Sequence, residues 1–200
     1  MRRRGRGAVP ALLIRASSWM LLAAVSALEV TGIAHAGDVP GSTFDPSGFE
    51  LRLGTFVHDS LSPERGSVDI NAEALMHLFR PAPSALSWLT PRWHVGTTIN
   101  TAGKTSSLYT GLTWTFDLTP RLFAELSLGG AVHNGTIGRI PVAGHNAMGC
   151  RAAFRESLSL GYRFTQQFAL MGTLEHMSNA GLCAQNRGLT NFGLRAAWTF

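Results

Sequence analysis

The fold is decided by residues 154–178, which read FRESLSLGYRFTQQFALMGTLEHMS. Apolar and aromatic side chains dominate one set of alternate positions in 154–164, and serine and arginine dominate the other. Successive side chains of a β-strand point to opposite faces, so this alternation predicts a strand. Thr165-Gln166-Gln167 reads as a three-residue turn, and alternation resumes over 168–178. The stretch therefore predicts a hairpin in which Phe164 pairs with Phe168 and the numbers of opposed residues sum to 332.

The same alternation recurs along the chain, in short segments separated by turn residues. No helical periodicity persists beyond Ala36. Eight segments of roughly ten residues, the length that spans a bilayer as a strand, have one apolar face and one polar face. We predict strands at 49–57, 68–78, 93–100, 108–116, 122–132, 154–164, 168–178 and 192–200.

Alternation alone does not distinguish a soluble lipid-binding barrel or sandwich from a transmembrane barrel, in which the apolar face meets lipid. Strand length, the charged polar face and the C-terminal Trp198-Thr199-Phe200 favour the membrane alternative. A terminal aromatic resembles the assembly signal of bacterial outer-membrane barrels. We therefore predict an all-β fold, an eight-stranded antiparallel transmembrane β-barrel, over residues 37–200. The charged residues expected to pair in its lumen are Glu50, Arg52, Glu73, Glu125, Arg155, Arg163, Glu175 and Arg195.

Residues 1–36 are predicted to be a signal peptide, with a basic start, an apolar run at 19–27 and the cleavage pattern Ala34-His35-Ala36. The alternative is a membrane-anchoring helix, which the lack of an uninterrupted run of about 20 apolar residues disfavours. Its removal takes five of the 17 Lys and Arg and one of the 12 Asp and Glu, leaving 12 basic and 11 acidic residues. The near-neutral mature chain gives no support for nucleic-acid binding. We expect export to the outer membrane of a Gram-negative cell.

Cys150 and Cys183 are the two cysteines of the chain. With an even number of strands, both termini lie in the periplasm and both cysteines fall in outer loops. Export to an oxidising compartment makes a disulfide between them the expectation, and two free thiols the alternative.

His176 and Ser178 lie two positions apart on the lipid-facing side of the seventh predicted strand. A base beside a hydroxyl is the minimum needed for a serine hydrolase, although His-x-Ser also occurs by chance. Polar side chains that face lipid are costly and usually functional, so the pair suggests a lipid substrate. The remaining histidines have no metal-ligand spacing, and we expect neither a metal nor a cofactor.

The segment HMSNAGL at 176–182, followed by Asn186 and Gly188, resembles the signature of the lipid A 3-O-deacylase family of outer-membrane enzymes. The resemblance implies a barrel that hydrolyses the ester at position 3 of lipid A, so its partner would be lipopolysaccharide in the outer leaflet. It also implies roles for four residues. Ser178 would be the nucleophile, His176 the base, and Asn179 and Gly181 part of the oxyanion hole.

One departure from the family matters. Its triad acid is a glutamate twelve residues after the serine, and that position here is Thr190. The hairpin register places Glu156 opposite His176, within reach of the imidazole, and we predict that Glu156 is the acid. Alternatively, Glu156 is only an interfacial acid. Glu175 is nearer in sequence but should point into the lumen. A non-catalytic structural or interaction barrel that kept the fold is the second functional hypothesis, and Thr190 favours it.

Overall fold

The computed structural model describes residues 48–78, 89–140 and 142–200. The predicted signal peptide lies outside the described residues. The eight strands are β1 (Glu50–Val57), β2 (Val68–Met76), β3 (Arg92–Asn100), β4 (Ser107–Asp117), β5 (Leu122–His133), β6 (Ala152–Arg163), β7 (Phe168–Ser178) and β8 (Leu189–Thr199). No helix among the described residues is long and apolar enough to cross a membrane.

Each strand pairs antiparallel with the next, and β8 pairs with β1, so the sheet closes into a barrel. Closure leaves no strand edge unpaired, which is a requirement for strands surrounded by lipid. The eight-stranded antiparallel barrel predicted from the sequence is confirmed. The largest difference from the prediction is in β8, which begins at Leu189 rather than Phe192.

The outer wall is apolar. Outward side chains such as Leu53 and Leu194 are each 65% exposed. The interior is filled by charge: Arg52, fully buried, forms salt bridges with Glu73 at 3.1 Å and Glu125 at 2.8 Å, and with Glu50. This arrangement inverts that of a soluble protein and suits a lipid environment. The buried charges around Arg52 are tolerated because each has a partner of opposite sign.

The β6–β7 hairpin has the register that the three-residue turn predicts. Glu156 pairs with His176 on the outward side, and the inward Arg155 and Glu175 form a salt bridge at 2.7 Å. The alternation in the sequence therefore predicted correctly which side chains of this hairpin point outward and which point inward, because the side-chain period of a strand is two.

The barrel has two different ends. We call one the loop end, formed by the connections 58–67, 101–106, 134–151 and 179–188. The opposite, turn end carries the short connections 118–121 and 164–167. There the chain terminus also packs on the first strand: the Phe200 N–H donates to the Phe49 carbonyl at 2.9 Å, and their rings lie 6.1 Å apart.

Candidate active site

His176 and Ser178 occupy the last two outward positions of β7, at the loop end of the barrel. Both side chains are half-buried. Apolar side chains adjoin the pair on the outer wall: Phe154, the cross-strand partner of Ser178, is 57% exposed, and Leu174 is 38% exposed. The pair predicted from the sequence therefore lies where an apolar wall meets the polar loops.

The imidazole of His176 is held by Thr190. Its Nδ1 lies 2.8 Å from Thr190 Oγ1, and the two residues are direct cross-strand partners on β7 and β8. An imidazole with Nδ1–H donated to a fixed oxygen carries its free lone pair on Nε2, which is the tautomer of a general base. The position where the resemblance expects a glutamate thus still contacts His176, through a hydroxyl.

No hydrogen bond joins the Ser178 hydroxyl to the imidazole within the described part of the chain. Catalytic hydrogen bonds are often long without substrate and shorten in the substrate complex.

Gly188 supports the same imidazole from the loop. Its backbone is left-handed, with φ of +72°, and a Cβ there would lie 3.0 Å from His176 Cε1. Any other residue would strain the backbone and press on the ring, so this glycine of the sequence motif has a physical reason.

Two carboxylates interact electrostatically with His176, those of Glu156 and Asp59. Glu156 is the cross-strand partner on β6 and is half-buried, and within the described residues no hydrogen bond joins it to the imidazole. Asp59, which the sequence analysis did not identify, comes from the connection after β1. Glu175 points into the lumen, where it accepts hydrogen bonds from Arg155 and Asn191, as its parity predicted.

The loop after Ser178 is organised by Asn179, which is 3% exposed. Its Nδ2 donates to the carbonyls of Met148 and Gln185, both at 2.6 Å. Its Oδ1 accepts from the Gly181 N–H at 2.9 Å, and its own N–H donates to Asn186 Oδ1 at 2.9 Å. The two residues assigned to an oxyanion hole by resemblance are therefore hydrogen-bonded to each other.

Ala180, between Asn179 and Gly181, has a φ of +54°. A left-handed alanine is strained by about 1–2 kcal/mol, and such strain persists where surrounding contacts enforce it. Here the contacts made by Asn179 do so. The backbone amides just after Ser178 are therefore held in a defined, strained conformation.

The predicted disulfide between Cys150 and Cys183 is present, with the two Cα atoms 5.9 Å apart. It joins the loop before β6 to the loop after β7. Beside it the loops are in direct contact: a Cβ at Gly149 would lie 2.0 Å from the Gln185 carbonyl oxygen, so only glycine fits. The covalent link and this packing hold the loop that follows Ser178.

A sequence model described as lipid A 3-O-deacylase (PagL) matches residues 79–199, more than half of the chain. The chain belongs to the lipid A 3-O-deacylase (PagL) family. The match runs from before β3 through β8 and therefore includes His176, Ser178 and Thr190. None of the curated proteins compared with the chain matches it.

Solved structures agree on the fold. The crystal structure of the outer membrane enzyme PagL is 17% identical, with a TM-score of 0.59, and the match covers 76% of this chain and 99% of that one. The N-terminal β-barrel domain of Pseudomonas aeruginosa OprF is 15% identical, with a TM-score of 0.53 and coverage of 77% and 98%. Neisserial surface protein A (NspA) is 13% identical, with a TM-score of 0.53 and coverage of 77% and 98%. The fold is that of outer-membrane barrels.

The structure places His176 and Ser178 on one outward face at the end of β7, with Asn179 and Gly181 in the loop that follows and Glu156 as the cross-strand partner of His176. Sequence reasoning missed Thr190 as a partner of His176, and it missed Asp59. Thr190 was detectable only as a departure from the PagL family pattern. Asp59 gave no signal, because it is more than 100 residues away in the chain. Among the described residues, no group of three or more His, Cys, Asp or Glu side chains is arranged to hold a metal.

Proposed function

We propose that this protein is a lipid A 3-O-deacylase of the bacterial outer membrane. The observation that carries the proposal is the outward Ser178–His176 pair at the rim of an apolar barrel wall, in a chain of the PagL family. A lipid with its acyl chains along that wall would bring its ester linkages, which lie just above the chains, to the level of Ser178. A soluble substrate would gain nothing from this position.

The proposed reaction is acyl transfer through Ser178. His176 Nε2 takes the hydroxyl proton as Ser178 Oγ attacks the ester carbonyl carbon. The tetrahedral intermediate collapses when His176 returns the proton to the 3-oxygen of the sugar, which leaves as an alcohol. Water then attacks the acyl-serine carbonyl carbon while His176 Nε2 takes its proton. Collapse of the second tetrahedral intermediate releases the fatty acid, and His176 returns the proton to Ser178 Oγ. Thr190 keeps Nδ1 as the protonated nitrogen throughout, so that Nε2 is the base.

Asn179 and Gly181 are proposed to serve the oxyanion, as the resemblance implies. The Gly181 N–H now donates to Asn179 Oδ1, so it must exchange that bond for the substrate oxygen when the intermediate forms. The strained Ala180 between them supports such a rearrangement, because relief of strain lowers its cost. An oxyanion donor of this kind contributes about 10²–10³ in rate.

Glu156 is proposed to stabilise the imidazolium by charge from across the strand. Its half-buried position means that its field is partly screened, so its contribution is smaller than that of a hydrogen-bonded triad acid. The signal peptide proposed at 1–36 would deliver the chain to the outer membrane, with the loop end facing outward toward lipopolysaccharide.

The mass of lipid A from cells that express the protein tests the proposal. We expect loss of one hydroxyacyl chain with the wild-type chain and no loss with Ser178→Ala. The matched control is Ser157→Ala, which removes a serine that points into the lumen. Unchanged lipid A with a folded wild-type barrel would reject the proposed activity.

A non-catalytic barrel is the second candidate, because Thr190 lacks the charge of the family's glutamate. A fluorophosphonate probe separates the two. Labelling that requires Ser178 and His176 supports the enzyme, and a folded barrel that takes up no label supports the non-catalytic alternative.

A further inference from the structure

We propose that Asp59 is a positioning residue for His176: it supplies the buried negative charge that Thr190 lacks, and it holds the start of β8 that carries Thr190. This inference rests on the proposed function. It assigns the task of the family's glutamate to two residues, with the hydroxyl of one contacting the imidazole and the carboxylate of the other stabilising its charge.

Asp59 and Ser60 form hydrogen bonds with Thr190 and Asn191 at the start of β8. The Ser60 N–H donates to the Thr190 carbonyl at 3.0 Å, and the Asp59 N–H donates to Asn191 Oδ1 at 2.9 Å. The Thr190 N–H points to Asp59 Oδ1 at a longer 3.5 Å. Two of these bonds hold the Thr190 backbone and the third holds the neighbouring Asn191, so the start of β8 is attached to the connection after β1. The position of Thr190 Oγ1 therefore depends on Asp59.

The carboxylate itself is held from several sides. Its Oδ2 accepts hydrogen bonds from Asn146 Nδ2 at 2.8 Å, from the Glu64 N–H at 3.2 Å and from the Ser62 hydroxyl. The Asp59 backbone is left-handed, with φ of +48°, a conformation that aspartate tolerates better than most residues. Its own connection, the connection 134–151 and β8 thus converge on one side chain, so its location is specified rather than incidental.

The two carboxylates that act on His176 differ in burial. Asp59 is 1% exposed, whereas Glu156 is half-buried at the outer wall. The side chains that hold Asp59 are neutral, and no salt bridge neutralises it within the described residues. The field of a buried charge is screened less than that of a charge near solvent. Asp59 on the β1–β2 connection and Glu156 on β6 are the charged groups of the described residues that act on the imidazole, and Thr190 on β8 is neutral.

The first test is the pH profile of kcat/KM for deacylation in Asp59→Asn. This near-isosteric change removes the charge. We expect kcat/KM to fall about tenfold and its acidic limb to move to lower pH, because the imidazolium loses a stabilising charge while KM stays near its wild-type value. Placing a carboxylate directly at the imidazole, with Thr190→Glu in the Asp59→Asn background, should restore part of the rate.

The matched control is Ser62→Ala, which removes one hydrogen bond to the Asp59 carboxylate and leaves the charge. Its acidic limb should stay in place. A profile that shifts equally in both variants would mean that only the structure of the loop matters, and it would overturn the proposal.

A second measurement does not need activity. NMR titration of the His176 imidazole in the Ser178→Ala barrel should show a lower midpoint when Asp59→Asn is added. An unchanged midpoint rejects the role of Asp59 even if the deacylase activity is real, and a shifted midpoint supports it even if lipid A proves not to be the substrate. Asp59→Glu, which keeps the charge, should stay close to the parent midpoint. If neither Asp59 variant folds, Asp59 serves loop structure and the proposal is rejected.

Discussion

At the residue scale, the notable substitution is a hydroxyl where the family has a carboxylate. Thr190 orients the imidazole but adds no charge, so its contribution is that of one neutral hydrogen bond. We expect Thr190→Val to lower kcat about five- to tenfold with little change in KM, since a bond of this kind contributes about 1 kcal/mol. Turnover of a short-chain ester by detergent-solubilised protein measures this. Thr55→Val, on the outward face of β1, is the control and should leave turnover unchanged.

Glu156 and Glu175 lie on opposite faces of the same hairpin. We therefore expect substitution of Glu156 to change turnover and substitution of Glu175 to change stability. Glu156→Gln should cut turnover severalfold with the barrel folded, because a partly screened charge leaves the imidazole. Glu175→Gln should keep the turnover of the folded protein and lower its stability by about 1–3 kcal/mol, because Arg155 loses its closest ion-pair partner. Urea unfolding in detergent, alongside turnover, reports both effects. The reverse ranking would contradict the assignment of Glu156.

At the element scale, the disulfide joins two loops rather than two strands. The 33-residue separation of Cys150 and Cys183 gives the link an entropic contribution of about 4 kcal/mol at most. We expect Cys150→Ser/Cys183→Ser to leave the barrel folded but to loosen the loop after Ser178 and lower activity. Hydrogen exchange of the 179–188 amides measures the loosening. Reducing agent should reproduce the effect in the wild type and do nothing further to the double variant.

The β1–β2 connection contains a buried ion pair that makes its order depend on pH. Burial opposes a charge on His58, but hydrogen bonds with Asp69 and Glu64 outweigh this and raise the pKa of His58 to about 9. Burial likewise opposes ionisation of Glu64, yet bonds from His58, Asn146 and Thr105 lower the pKa of Glu64 to about 2. The pair is therefore charged over a wide range of pH.

The directions of the two pKa shifts determine the pH range in which the His58–Glu64 pair stabilises the connection. The stabilisation from His58 is complete below about pH 6.5 and is lost as pH rises through about 9. That from Glu64 is complete above about pH 4.5 and is lost as pH falls through about 2. Exchange protection of residues 58–67 should be greatest between pH 4.5 and 6.5 after correction for intrinsic exchange. His58→Gln should abolish the alkaline decline, and its persistence there would refute the assignment to His58.

At the scale of the whole molecule, the lumen is a network of charges around Arg52. Removing this guanidinium leaves three glutamates short of a partner. We expect Arg52→Met to lower the free energy of unfolding by about 3–5 kcal/mol, as breaking a buried pair does. Arg121→Gln, in the exposed turn before β5, should leave the urea midpoint unchanged. A tolerated Arg52→Met would show that the lumen admits enough water to solvate the glutamates.

By itself, the sequence determined the class of fold, the strand number and the face of each side chain. Those features follow from local alternation, which is why the register of the β6–β7 hairpin and the lumenal side of Glu175 were predicted and observed. The motif at 176–182 likewise singled out Ser178 and His176 as the proposed catalytic pair. The start of β8 was placed late because Asn191 is a weak strand former and because Leu189 points inward, against the apolar-outward pattern. Only pairing with β7 makes these residues part of a strand.

Only the tertiary structure decided what holds the imidazole. Thr190 reaches His176 because two strands pair, and Asp59 reaches Thr190 because the barrel closes β8 onto β1, more than 100 residues away in the chain. Closure is a property of the whole sheet, so the local alternation of side chains does not show which residues it brings into contact. The contacts that position the base therefore arise from long-range pairing, whereas the residues that are proposed to do the chemistry could be found from a short motif.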